Sequence, residues 1–164
     1  MRLPLHRLVA IVAIGFPVCL TAGPVIGQVT SISVTEAMSS SGVGGTADWW
    51  EITNYGTSSL DMAGWKMDDN SFSFAAAVPL VFPGGVSTIN PGETMVFVES
   101  AAPGTDIPNF WNFWTGSQSS AVRAGSYTGS GVGLSSAGDG IVLFNGSGVE
   151  VTPRVTFEIG RAHV

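Results

Sequence analysis

Charge is scarce in this chain. Of its 164 residues only 11% are charged, against about 25% in an ordinary globular domain. Basic residues are scarcest: six lysines and arginines face twelve acids, for a net charge of −6. No basic stripe exists to follow a phosphate backbone, so nucleic acid is not an expected partner. Cysteine and histidine are nearly missing. Cys19 and His6 fall in an N-terminal apolar segment and His163 in the last six residues, so residues 28–158 hold neither type. That excludes disulfides in this stretch, structural zinc, which needs Cys or His ligands, and nucleophiles that rely on a histidine base. Lys66 is the one lysine left for a Ser-Lys arrangement. A carboxylate pair or an oxygen-ligated calcium ion is the chemistry that survives. The composition also lacks the Ala, Glu, Lys, Leu and Arg richness of helical bundles and coiled coils.

What is present is glycine (22), proline (9), serine and threonine, with a hydrophobic share of 45%. This balance suits an all-β domain of short strands and many turns. Residues 28–158 carry twelve carboxylates against Lys66, Arg123 and Arg154, a net charge of −9, and should repel anionic polymers. A body of this size can bury roughly 65–70% of its unfolded surface, enough to fold without covalent staples.

The two ends are expected to stand outside the fold. Arg2, His6 and Arg7 precede an apolar run at 8–20 (LVAIVAIGFPVCL) and then small residues. Residues 1–27 therefore read as a secretory signal with cleavage after Gly27. The apolar run is short for a bilayer span, and no other membrane span is expected once the signal is removed. Residues 159–164 (IGRAHV) match the translation of a common sequencing-adapter oligonucleotide. They are expected to be an assembly scar and are set aside from fold reasoning.

Between the ends, period-two patterns and turn signals alternate. Strands are expected at 29–34, 48–53, 60–67 (with Gly64 marking a bulge or a close backbone approach), 71–74, 94–98, 140–144, 149–151 and 155–157. Asn145-Gly146 is a hairpin signal, and Pro83-Gly84-Gly85 and Asn90-Pro91-Gly92 read as turns. In 48–53, Trp50 and Ile52 share one face while Trp49, Glu51 and Thr53 share the other. The runs 94–98 and 140–144 are almost wholly apolar and are expected to be buried on both faces. Residues 101–133 read as loop, and no amphipathic helix of useful length is found. Seven to nine short strands with frequent turns predict an immunoglobulin-like β-sandwich.

Three segments carry a family resemblance: Ile32-Ser33-Val34-Thr35-Glu36, then Asp48-Trp49-Trp50-Glu51-Ile52-Thr53-Asn54, then Leu60-Asp61-Met62-Ala63-Gly64-Trp65-Lys66-Met67. Together they resemble the lamin tail domain, especially its bacterial secreted members. Downstream, residues 89–97 are similar to that family's turn before a central strand, and 134–144 with 146–148 to its final hairpin. The resemblance spans about residues 29–157. It implies an immunoglobulin-like sandwich, structural motif positions at Glu36, Asp48, Trp49, Glu51, Asn54, Gly64, Trp65 and Asp139, and no catalytic residues. Such domains occur in exported proteins, sometimes fused to hydrolases. Trp50 stands where the family has an aliphatic residue, and the aromatic segment at 110–114 is longer than expected.

Candidate sites each have a plain structural reading beside the functional one. Asp48 and Glu51 could be half of a glycosidase-like carboxylate pair, or a polar outer face with Asp48 at a turn. Asp61, Asp68, Asp69 and Asn70 could supply oxygens to Ca²⁺, although the run lacks the spacing of a dedicated loop; no other cofactor is expected. Phe110, Trp111, Phe113 and Trp114 could form a stacking platform for a glycan or a protein, or a loop folded over an open end of the sandwich. Trp50 and Trp65 are expected in the core. Asn145-Gly146-Ser147 fits a glycosylation acceptor, but the hairpin explains it without sugar. The expected function is a non-catalytic, exported interaction or adhesion module at the cell surface. The alternatives are a carbohydrate-binding module using the aromatic cluster, or the accessory domain of a secreted hydrolase working through acids alone.

Overall fold

The structure, a computed structural model, describes residues 31–39 and 47–157. The expected signal segment with His6 and Cys19, most of the Ser/Gly loop at 39–45 and the tail from 158 onward, His163 included, lie outside the described residues. In chain order the strands are β1 (Ile32–Met38), β2 (Trp49–Asn54), β3 (Leu60–Asp61), β4 (Lys66–Asp68), β5 (Val78–Pro79), β6 (Thr88–Ile89), β7 (Thr94–Glu99), β8 (Arg123–Tyr127), β9 (Asp139–Phe144) and β10 (Val155–Phe157). One α-helix, α1 (Pro103–Thr115), joins β7 to β8, and a single 3-10 turn spans Pro83–Gly85.

Two four-stranded sheets build the sandwich, in the orders β1-β2-β7-β8 and β10-β9-β4-β5, and β3 and β6 form a small ribbon beside them. Alternation dictates what lies between the sheets. Trp50 and Ile52 of β2 and Met95 and Phe97 of β7 point inward to meet Met67, Ile141 and Leu143 of the facing sheet. Trp50, completely buried, stacks on Phe97 with ring centroids 4.6 Å apart and tilts against Tyr127 at 6.0 Å. Such aromatic pairs add about 0.5–1.5 kcal/mol beyond the area they bury. Trp65 joins this core as its sequence pattern predicts.

The outer faces are covered as well, which explains the two apolar runs. Val96 and Val98 of β7 and Trp49 of β2 face outward and are roofed by Phe110 and Trp111 of α1. Val142 and Phe144 of β9 face outward beneath Phe72 and Phe74 of the turn that follows β4. Four layers result: helix, sheet, sheet and turn.

Several elements differ from the sequence reading. Residues 101–133 are not loop: they hold α1 and β8. β8 lies parallel to β7, with Met95 opposite Arg123 and Glu99 opposite Tyr127. A parallel pair needs a crossover of a dozen or more residues, and α1 supplies it. The helix has Pro103 in its first turn, Gly116 in the left-handed region (φ 69°) as its C-cap, and Pro108 inside it. The stretch 71–74 is not a strand, because Asp68 gathers the backbone there into turns. The stretch 60–67 is two short strands broken at Gly64, whose φ of 73° makes a turn rather than a bulge. β1 runs to Met38, beyond the expected end at 34, and its register shifts between Val34 and Glu36. No helix among the described residues is long and apolar enough to cross a membrane.

Candidate functional site

The aromatic segment is a helix face rather than a flat platform. Tertiary packing stabilises this short, proline-containing helix more than propensity can. Phe110 meets Trp49 edge-on at 5.7 Å and Trp111 at 4.8 Å, while Trp114 meets Trp49 at 5.5 Å and Phe113 at 5.3 Å. The angles between these rings run from 67° to 80°. A sugar stacks best on an open ring face, and this edge-to-face knot turns several of its faces onto one another. Phe110 and Trp111 are buried; Phe113 and Trp114 each keep 43% of their surface exposed. The cluster thus roofs the outer face of a sheet, not an open end of the sandwich. Beside it, a shallow pocket of about 310 Å³ is lined by Trp111, Ile107, Val86, Val122, Gln118 and the start of β8.

The expected carboxylate pair is not a pair. Asp48 and Glu51 lie three apart on an extended chain and so project from opposite faces. Glu51 accepts a hydrogen bond from the Thr35 hydroxyl at 2.6 Å on the outer face. Asp48 is buried at the inner end of β2, where its Oδ2 accepts from the backbone N–H of Leu134 at 2.6 Å.

Asp48 has a different acidic neighbour, Glu99. Continuing the β2–β7 register one step places them opposite each other, and the Glu99 N–H donates to the Asp48 carbonyl at 2.7 Å. Burial raises the Glu99 carboxyl above the usual range, and the Asp48 carboxylate within hydrogen-bond reach raises it further. Tyr127, opposite Glu99 on β8, is fully buried, and its hydroxyl has no hydrogen-bond partner among the described residues. Burial pushes its ionisation upward, reinforced by the charges of Asp48, Glu99 and Asp139. Asp48, Glu99 and Tyr127 therefore form one row across three strands on the inner face. The sequence reading missed this row. The signal was there in principle: an acid at each end of two strands whose register sets them side by side.

The calcium candidates are not gathered at one point. Asp61 sits on the β3–β6 ribbon, where its Oδ1 accepts from the Ser87 hydroxyl and the Ala63 N–H. The Ser87 hydrogen bond holds its carboxyl below the usual range. Asp68 is buried in the β4–β9 sheet, and its Oδ2 accepts from the Ser71 hydroxyl and the Ser73 N–H. Asp69 accepts from the Ser71 N–H, and burial raises its carboxyl, as do Asp68 and Asp139. The Asn70 N–H donates to Asp139. Among the described residues no group of three or more His, Cys, Asp or Glu side chains is placed to hold a metal ion.

The remaining motif residues serve the backbone. Asn54, fully buried, donates from Nδ2 to the carbonyls of Ser58 and Ile89 and accepts from Gly56 N–H on Oδ1. Asp139 accepts from the N–H groups of Ser135, Asn70 and Gly140. Glu36 is exposed at the register shift in β1. Asn145 Oδ1 accepts from the N–H groups of Ser147 and Val149, as a hairpin turn residue does. Lys66 lies over the Phe74 ring at 4.7 Å.

Residues 27–158 match the family model described as Lamin Tail Domain. No curated protein matches the chain.

Proposed function

Starting from the fact that the chain belongs to the lamin tail domain family, an immunoglobulin-like domain family, we propose that it is a non-catalytic, exported module that binds protein at the cell surface through the exposed end of α1. The observation that carries this reading is the pair Phe113 and Trp114, each 43% exposed beside the apolar pocket at Trp111. Aromatic side chains on a rigid element are what protein interfaces use as anchors. The edge-to-face packing of the rings favours a protein partner over stacked sugar. The charge of −9 over residues 28–158 favours a partner surface with an apolar centre and a basic rim. The basic start and apolar run at the N-terminus support export. Residues 28–158 hold neither histidine nor cysteine, and the two acids closest in sequence to a catalytic pair face opposite ways.

The test is binding of the purified chain to envelope preparations. Phe113→Ser, which leaves the Trp49–Phe110 contact intact, is expected to weaken binding by about tenfold, near 1.4 kcal/mol. Protease treatment of the envelope is expected to abolish binding. Retention on purified polysaccharide, or binding indifferent to both treatments, would overturn the reading.

A further inference from the structure

Two carboxyl groups in contact must be neutralised by something. Like charges directly opposite on paired strands destabilise them. Each of the three cations in the described residues is engaged elsewhere: Lys66 over Phe74, Arg123 with Glu93, and Arg154 with Glu150. The elements packed around Asp48 and Glu99 bring only Tyr127 from β8 and Asp139 at the start of β9 as further titratable groups. The segment 128–138 between them contains no titratable side chain, and neither do residues 40–46 ahead of Asp48.

The geometry of that segment gives the pair something to hold. Leu134 N–H is bonded to Asp48 Oδ2. A methyl group placed on Gly133 would lie 3.6 Å from Asp48 Oδ2 and 3.6 Å from Glu99 Oε1, so both carboxyls converge on this stretch of backbone. Gly133 itself is exposed, while Val132 and Leu134 on either side are buried in the core between the sheets. The Asp48–Glu99 contact is therefore the polar closure of the segment 128–138 over one end of the sandwich.

We propose that Asp48 and Glu99 share one proton and act as a pH-sensitive latch, closed in acid, that fastens residues 128–138 over Val132 and Leu134. With the proton in place, one carboxyl donates to the other and Asp48 remains the acceptor for Leu134 N–H. When the proton leaves, the pair carries two negative charges on a half-buried edge. Their repulsion separates them and loosens the Leu134 bond. The sign follows from linkage: a carboxyl whose pKa is raised in the closed state stabilises that state below its open-state pKa. That stabilisation is lost as pH rises through the closed-state pKa.

The experiment is hydrogen–deuterium exchange of the full chain from about pH 5 to about pH 8, corrected for the intrinsic pH dependence of exchange. Peptides covering 128–138 are followed in the native protein and in Glu99→Gln. Natively, protection of this segment is expected to fall with rising pH, by up to about tenfold for each pH unit between the open- and closed-state pKa, while peptides of β2 stay protected. Glu99→Gln replaces the proton with a permanent amide donor, so protection should become independent of pH. The same pH dependence in Glu99→Gln, or none in the native chain, would overturn the proposal. Protection restored at high pH by millimolar calcium, and lost in Glu99→Gln, would also overturn it by putting a cation in the proton's place.

Discussion

At the scale of single residues, this chain uses its few acids and amides as backbone fasteners. Asn54 is the clearest case. It is fully buried and bonded to three backbone groups. Asn54→Ala would leave the Ser58 and Ile89 carbonyls without their donor, at about 2–3 kcal/mol, since each orphaned buried group costs about 1–3 kcal/mol. Urea denaturation should show this loss with an unchanged m-value. Glu93 does similar work with a charge. Arg123 donates from Nε to Glu93 Oε1 at 2.6 Å and from its other nitrogens to the carbonyls of Val86 and Thr88. That guanidinium hydrogen bond holds Glu93 below the usual glutamate range. A lowered pKa contributes stability that is present above the unfolded pKa and lost as pH falls through the folded one. Glu93→Gln should therefore flatten the acid limb of a melting-temperature profile below about pH 4.5, opposite in sign to the effect expected of Glu99. The motif positions Asn54, Asp48 and Asp139 could be singled out in the sequence. Their partners could not, because Leu134 is 86 residues from Asp48 and Asn70 is 69 from Asp139.

At the scale of elements, β2, β7 and β9 were legible because their alternation or apolar continuity reports burial directly. Helix α1 was not. It has no side-chain hydrogen bond at its N-cap and carries Pro108 in its interior, so its local signals contradict a helix. Packing of Phe110 and Trp111 on Trp49, Val96 and Val98 overrides them. Gly116 after the last turn and Asp106 in the first were the legible traces. The account predicts that Phe110→Ala costs about 3–5 kcal/mol, measured by chemical denaturation, because it removes the centre of the helix–sheet layer. The short strands β3 and β4 were fused in the sequence reading because only the left-handed φ at Gly64 divides them. β8 hid its identity behind Gly125 and Ser126. Gly125 is needed there: a Cβ would fall 2.5 Å from Phe97 Cε1 and 2.8 Å from the Val81 carbonyl oxygen.

At the scale of the whole molecule, the layering explains how so little charge and no covalent staple in residues 28–158 can support a fold. Three apolar layers are stacked across two sheets, so strands that would expose one face in a simple sandwich bury both. The family match covers nearly all of this unit. What distinguishes the surface is the α1 end, where the aromatic roof stays partly open. If the domain works as an interaction module through that roof, partner binding must shield it. The most direct measurement is the hydrogen-exchange footprint of the chain bound to its envelope partner. The account predicts new protection confined to the 107–124 stretch; protection elsewhere on the sandwich, with this stretch unchanged, would contradict it.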